Sequence, residues 1–301
     1  MIVYLKSNEI DKKLWDNCIA ASQTRKPYPY SWYLDIMAPG WEALIDDDYD
    51  SVFPVPARSR FGIKYIATPI FLQQLGAYSP DKSTEKSIDE FLDYMPEFYR
   101  LIDLCVGQRI SKRGYSITEK YNYQLDLSSP YEVIRGNFNN ACKRNIEKSA
   151  RQEILFTDDI TPRELVGFFL EAKEKVAKGI KSRDFERLTR LMEYCIANNK
   201  GRISCVRTAR KKLVFGHFLI ETPGYINLFF GVNSPESRKR RINYYFINEI
   251  IRENASTDTI LDFAGSSIPS IADFIESFGA ERYPYYRILR ITLPWPIRLL
   301  K

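Results

Sequence analysis

Apolar positions along the chain recur with two periods. Leu14, Trp15, Cys18 and Ile19 share one helical face, which predicts a helix from Ile10 to about Ala21 with Asp11 near its start. Before it, Ile2–Leu5 reads as a strand. Tyr28-Pro-Tyr-Ser-Trp-Tyr33 leads into a short helix that must end by Pro39-Gly40. Strand-like runs follow near Trp41–Ile45, Ser51–Ala57 and Ile63–Ile70. A helix from Ser87 to about Tyr94, a strand Leu101–Val106 and a strand Asn122–Leu127 complete this part.

The pattern then repeats at greater length. Helices are expected at Tyr131–Ala150, Pro162–Lys178 and Asp184–Asn198. Thr161 is suited to cap the second, with Pro162 in its first turn and Glu164 three residues on. Three strands are expected next, Ile203–Thr208, Leu213–Glu221 and Tyr225–Val232, turning at Lys211-Lys212 and Pro223-Gly224. A helix Ile242–Asn254, a strand Ile260–Phe263, a helix Ile271–Phe278 and a strand Tyr286–Leu293 close the chain. The order of elements places the protein in the α/β class, with α+β mixed sheets. Its 301 residues suffice for two domains, expected at 1–121 and 122–301. The tail Pro294–Lys301 is expected to pack on the body or on a second copy.

Charge divides unevenly. Residues 1–126 hold 15 Lys and Arg against 18 Asp and Glu, whereas the remainder holds 29 against 20. The second part is therefore suited to an anionic partner such as RNA, a nucleotide or a phospholipid surface. Five scattered cysteines without Cys-x-x-Cys spacing read as reduced thiols. With His217 the single histidine, a Cys-His enzyme or a metal centre is not expected. His217 alternates with Phe215 and Leu219 in a strand and reads as a packing residue. No signal peptide or membrane span is expected, which points to the cytoplasm.

Chemistry concentrates between Tyr225 and Phe263. A strand ends in the turn Asn233-Ser-Pro-Glu-Ser237, and Arg238-Lys-Arg-Arg241 stands at the mouth of the next helix. Free N–H groups at a helix start favour an anion, and four cations strengthen that preference. The order and the turn Pro235-Glu236-Ser237-Arg238 resemble the central motif of the GNAT acyltransferase superfamily. There a strand ends and Arg-x-x-Gly-x-Gly/Ala opens a helix over the pyrophosphate of acetyl-CoA. Arg241 and Asn243 stand where that motif carries its small residues, so a conventional CoA loop is not expected.

Two further stretches narrow the resemblance. Lys143-Arg-Asn-Ile-Glu-Lys-Ser149 is similar to a basic helix of the Fem-type aminoacyltransferases. Leu261-Asp-Phe-Ala-Gly265 with Phe274-Ile-Glu-Ser-Phe-Gly279 is similar to that family's ending. The resemblance implies two tandem GNAT-like domains, each a mixed, mostly antiparallel sheet flanked by helices. It implies transfer of an activated acyl or aminoacyl group to an amine, an EC 2.3 acyltransferase activity, and a role in building cell-wall peptides. No firm cofactor follows; aminoacyl-tRNA or acyl-CoA would serve as donor substrate, making tRNA or a nucleotide-linked substrate the expected partner. Two alternatives stay open, an acetyl-CoA-dependent N-acetyltransferase and a non-catalytic GNAT-shaped binding protein.

Donor contacts are expected from Arg238, Lys239, Arg240 and Arg241, with Phe230 and Gly231 offering backbone groups to the acyl carbonyl. On the acceptor side the resemblance points to Lys143, Arg144 and Lys148, of which the last two share a helix face. Gln73 and Gln74 are adjacent in an apolar run, so one amide must face inward and find partners, either binding an acceptor's peptide or sugar or tying down the neighbouring loop. Tyr28, Tyr30 and Trp32 are expected either to line a cleft or to fill a core. Asp262, at a strand end beside Gly265, is the candidate to position an amine or accept its proton, or else to cap the following loop.

Overall fold

The computed structural model describes residues 1–81, 85–173, 177–265 and 268–293. The expected tail, Ser266-Ser267 and the end of the Pro162–Lys178 helix lie wholly or partly outside them. The chain divides into two compact units. One comprises Met1–Lys120 with the chain from Pro284 on, and the other Tyr121–Tyr283. The return from Pro284 arises because strand β12 (Glu281–Ile291) pairs from Tyr286 to Ile291 with β6 (Leu101–Val106).

The first unit opens with β1 (Ile2–Leu5) and α1 (Lys12–Ala21), whose N-cap Asp11 accepts from Lys13 N and Leu14 N. After α2 (Ser31–Met37), β2 (Glu42–Asp46) and β3 (Ser51–Val55) join β1 in an antiparallel sheet. β4 (Ala57–Arg60) and β5 (Ile63–Ala67) form a hairpin, where strands Ser51–Ala57 and Ile63–Ile70 were expected. α3 (Ile88–Asp93) carries a Ser87–Glu90 capping box, and β5 pairs parallel with β6. Trp15, Trp41, Tyr33 and Phe53 are fully buried at the centre.

In the second unit five strands run in the order β8-β9-β10-β11-β7. They are β7 (Ser116–Asp126, from Tyr121 on), β8 (Gly201–Arg207), β9 (Leu213–Thr222), β10 (Tyr225–Asn233) and β11 (Ile260–Asp262). The β10–β11 pair alone is parallel; its neighbours are antiparallel. Helices α4 (Tyr131–Gly136), α5 (Asn140–Ala150), α6 (Pro162–Ala172) and α7 (Ser182–Ala197) precede β8. α8 (Pro235–Arg240) and α9 (Ile242–Asn254) follow β10, and α10 (Pro269–Glu276) follows β11.

Two local departures from the expected elements have clear causes. The helix expected over Tyr131–Ala150 breaks at Gly136–Asn139, because Asn139 caps a new helix by accepting from Cys142 N and Phe138 turns into the core against Phe278. The turn expected at 233–237 is already helical. Ser234 accepts from Ser237 N and Pro235 fills the first turn, so the chain starts α8 there.

Alternation along the strands sends Phe215, Leu219, Ile226, Leu228 and Leu261 into one core with Cys142, Ile146, Phe246 and Ile250 of α5 and α9. The opposite face meets α6: a side chain at Gly216 would collide with Leu165, and Phe230 lies 5.0 Å from Phe169. Phe230 should share the face of Ile226 and Leu228. A bulge between Asn227 and Phe230 reverses the alternation and turns Gly231 toward the α9 side.

Candidate functional site

The parallel pairs of the two units continue differently. In the first, β5 and β6 pair at Ile66–Ala67, and the same chain then returns to β6. Thr68 Oγ1 accepts from Cys105 N at 2.7 Å, Leu75 N reaches Cys105 O at 3.0 Å, and Gly107 N reaches Leu75 O at 2.8 Å. In the second unit the β10–β11 ladder covers Tyr225–Asn227 against Ile260–Asp262. β10 then bulges and runs on to Asn233, while β11 turns away through Ala264 and Gly265, both at positive φ. The ladder ends there, and Gly231 lies exposed on the stretch of β10 that runs on beyond it.

At the base of this fork sits Asp262, with no exposed surface. It faces Gln124 across β7 and Asn227 across β10. Its Oδ2 accepts from Asn122 Nδ2 at 2.6 Å, Gln124 Nε2 at 3.0 Å and the Tyr225 hydroxyl; its Oδ1 accepts from Asn227 Nδ2 at 3.2 Å and Ala264 N at 2.6 Å. Five donors converge on one carboxyl group, so it serves as an acceptor that ties three strands and the outgoing loop together. Gly265 is required beside it, since a Cβ there would stand 2.5 Å from Tyr121 O. Asn122, Gln124, Tyr225 and Asn227 did not stand out in the sequence. Their signal was available: Asn122 with Gln124 and Tyr225 with Asn227 are polar i, i+2 pairs, hence two pairs on single faces.

Past the fork, α9 begins at Arg241. That residue has φ +63°, and no side chain caps the helix. The left-handed conformation usual for glycine is therefore present at the first small position of the motif, held by an arginine. Asn243, at the second, has a buried Oδ1 without a hydrogen-bond partner in the structure. Arg238 reaches Asn233 O at 2.7 Å, and Arg240 Nε reaches Gln152 Oε1 at 3.2 Å. Gln152 Nε2 in turn donates to Arg240 O and to Lys148 O. Gln152 thereby brings Arg240–Arg241 beside the end of α5. The basic stretches that the sequence assigned to donor and acceptor meet there, with Arg144, Lys148, Arg151 and Arg241 exposed. Lys143 turns back to Gly136 O at 2.9 Å. Lys239 is exposed on α8.

His217 lies across from Gly231, between Phe215 and Phe246, whose ring centroids stand 6.3 and 5.2 Å from its own. A Cβ at residue 231 would fall 2.1 Å from His217 Nδ1, so the imidazole occupies the room the glycine leaves. Both ring nitrogens are buried without a hydrogen-bond partner, and burial lowers the pKa to about 3. The ring is neutral at physiological pH. Burial also raises the Cys142 and Cys195 thiols to about 12 and those of Cys18 and Cys205 to about 11. None of these four is poised as a thiolate nucleophile.

Gln74, Leu75 and Gly76 line a cavity of about 300 Å³ in the first unit, together with Gln108, Thr24 and Ser79. Gln74 is buried and its Nε2 donates to Gln73 Oε1 at 3.2 Å. A Cβ on Gly76 would meet Gln108 Oε1 at 2.8 Å, and one on Gly107 would meet Gln74 Oε1 at 2.9 Å. The glycines make room for the two carboxamides. Tyr28 belongs to the core, edge-on to Tyr33 at 5.4 Å. Tyr30 and Trp32 are half-buried and stacked at 6.3 Å.

Over its whole length the fold is similar to that of solved structures, among them FemX and a lysylphosphatidylglycerol synthetase domain. A crystal structure of FemX is similar over 97% of this chain and 98% of that one, with a TM-score of 0.63 and 12% identity. A conserved protein of unknown function from Bacteroides thetaiotaomicron aligns over 97% of this chain and 100% of its own, with a TM-score of 0.59 and 13% identity. The C-terminal domain of a putative lysylphosphatidylglycerol synthetase from Agrobacterium fabrum covers 98% and 96%, at 0.55 and 9% identity. No protein-family model and no curated protein matches the chain. Among the described residues no helix is long and apolar enough to cross a membrane.

Proposed function

We propose that the protein is an acyl- or aminoacyl-transferase of the GNAT/Fem-like kind, acting on an amine acceptor with aminoacyl-tRNA as donor. The observation that carries this reading is β10 running on past the end of its parallel ladder with β11, beside a helix start that no side chain caps and whose left-handed residue is Arg241. The stretch of β10 beyond the ladder is the place for an acyl group. Backbone N–H groups on that strand are suited to polarise its carbonyl, and alignment of the two substrates supplies much of the remaining catalysis. The nucleophile belongs to the acceptor, in keeping with thiols held protonated and a histidine held neutral. Asp262 acts through position, fixing the fork from which β10 runs out.

The basic surface of Lys148, Arg151, Arg240 and Arg241 suits the phosphodiester backbone of a tRNA. FemX and lysylphosphatidylglycerol synthetase give the same direction, the second naming an aminoacylated lipid as its product. Amine-bearing cell-wall peptides in the cytoplasm are the acceptor class to which the Fem likeness leads. An acetyl-CoA donor is the second reading, favoured by the left-handed backbone retained at residue 241.

The test titrates the protein with aminoacyl-tRNA and with CoA across a salt series. Aminoacyl-tRNA should bind, and CoA should not. Replacing Arg240 and Arg241 with alanine should weaken binding and reduce the salt slope by about 1 to 2. Unchanged affinity and slope would refute the donor assignment. Binding of tRNA without transfer to any amine would leave a non-catalytic binding protein.

A further inference from the structure

The β4–β5 hairpin carries an aromatic ring where hairpins rarely place one. Phe61 heads its two-residue turn at φ +51°, followed by Gly62 at φ +75°. Both central residues are left-handed, the geometry of a tight hairpin turn that normally selects asparagine, aspartate or glycine. A bulky side chain there is strained. Phe61 is nonetheless 86% exposed, and among the described residues its ring contact is the Arg60 guanidinium 5.2 Å away. Burial inside this unit does not explain the residue.

Its surroundings are cationic. Residues 57–67 read Ala-Arg-Ser-Arg-Phe-Gly-Ile-Lys-Tyr-Ile-Ala, with three cations and no acid, although residues 1–126 as a whole carry an acidic excess. Arg58 pairs with Tyr65 and Arg60 with Ile63, so two cations, a tyrosine and an isoleucine share one face behind the tip. Lys64 lies on the other face, 3.5 Å from Glu42. β4 ends its strand order, and charge on an edge strand guards against aggregation. That accounts for the arginines but not for a strained, exposed phenylalanine between them.

We infer that this hairpin is a membrane-surface anchor for anionic phospholipid. Phe61 enters the boundary of the acyl chains while Arg58 and Arg60 lie among the phosphates, two signals that together suffice for reversible binding. A lone ring projecting from a turn fits insertion better than it fits the extended stacking surface that single-stranded nucleic acid needs. The inference stands independently of the transferase reading.

The experiment is sedimentation of the full chain with vesicles of phosphatidylcholine alone and of equimolar phosphatidylcholine and phosphatidylglycerol. Binding is expected to the anionic vesicles only and to fall with salt. Phe61→Asn, which accepts the left-handed turn and preserves the hairpin, should weaken it about tenfold. Arg58→Gln and Arg60→Gln should each weaken it about fivefold. Phe61→Trp should become quenched by brominated lipid beyond the level of the unmodified protein. Equal vesicle binding by all variants would overturn the proposal. So would an absence of vesicle binding together with binding of an RNA oligonucleotide that needs Phe61.

Discussion

Replacing Asp262 separates two roles that its place in the fork would allow. In Asp262→Ala, five buried donors lose their common acceptor: Asn122, Gln124, Tyr225, Asn227 and the Ala264 N–H. An unsatisfied buried donor costs about 1–3 kcal/mol. Because all five share one centre the costs do not add, and about 3–5 kcal/mol is expected in total. Asp262→Asn keeps Oδ1 for Asn227 and Ala264 but turns an NH₂ toward three donors. The Tyr225 hydroxyl can rotate to accept it. The Asn122 amide cannot flip without losing Tyr123 N, which its Oδ1 holds at 2.8 Å. About 1–2 kcal/mol is expected for this variant. Urea unfolding followed by far-UV circular dichroism measures both, with amide exchange over 225–233 and 260–264 as the local readout. An alanine variant destabilised by less than about 1 kcal/mol would refute the anchor. The asparagine variant then tests chemistry. If Asp262 only positions, turnover should stay within about tenfold, whereas loss of a general base typically costs about 10²–10⁴.

Other expectations follow from the same neighbourhood. Gly231→Ala should cost about 1–3 kcal/mol, because its methyl would overlap the His217 ring; His217→Ala should relieve most of that cost in a double-mutant cycle. The folded-state pKa of His217, about 3, lies below its ordinary 6.5, so protonation favours the unfolded chain. Its stability contribution is present above about pH 6.5 and lost as pH falls toward 3, by up to about 1.4 kcal/mol per unit; His217→Phe should flatten that part of the pH–stability curve. Arg241→Gly should relieve about 1 kcal/mol of backbone strain, raising the melting temperature, while lowering affinity for aminoacyl-tRNA by about one phosphate contact.

Much of the fold was legible because alternation and helical spacing are local. The helix start at Asp11, the Thr161–Glu164 capping box and the strands at 213–222 and 225–233 all follow from short-range chemistry. The breaks were harder to read. Gly136–Asn139 divides a stretch whose apolar positions run on in helical register, and the Asn139 cap together with Phe138 packing on Phe278 fixes the bend. The hairpin that ends in Phe61 escaped notice because a phenylalanine, not one of the usual turn residues, holds the first position of its turn. The return of β12 to β6 joins residues far apart in the chain, and a pattern of apolar positions does not encode partners.

The candidate site was legible by region and obscure in its wiring. The motif drew attention to residues 225–263, where the parallel ladder lies. Which polar groups hold the fork depends on register, since Asn122, Gln124, Tyr225, Asn227 and Asp262 gather only when three strands align. Residue identity at position 241 also conceals what the backbone keeps. An arginine there reads as loss of the glycine motif, yet its φ of +63° keeps the glycine conformation. A bare loop lets a pyrophosphate approach main-chain N–H groups closely. Under the proposed function, the same bend bearing a guanidinium would meet phosphates farther out, beside Arg240 and the end of α5. That geometry favours a donor whose charge lies along an extended backbone, and on it rests the preference for tRNA over CoA.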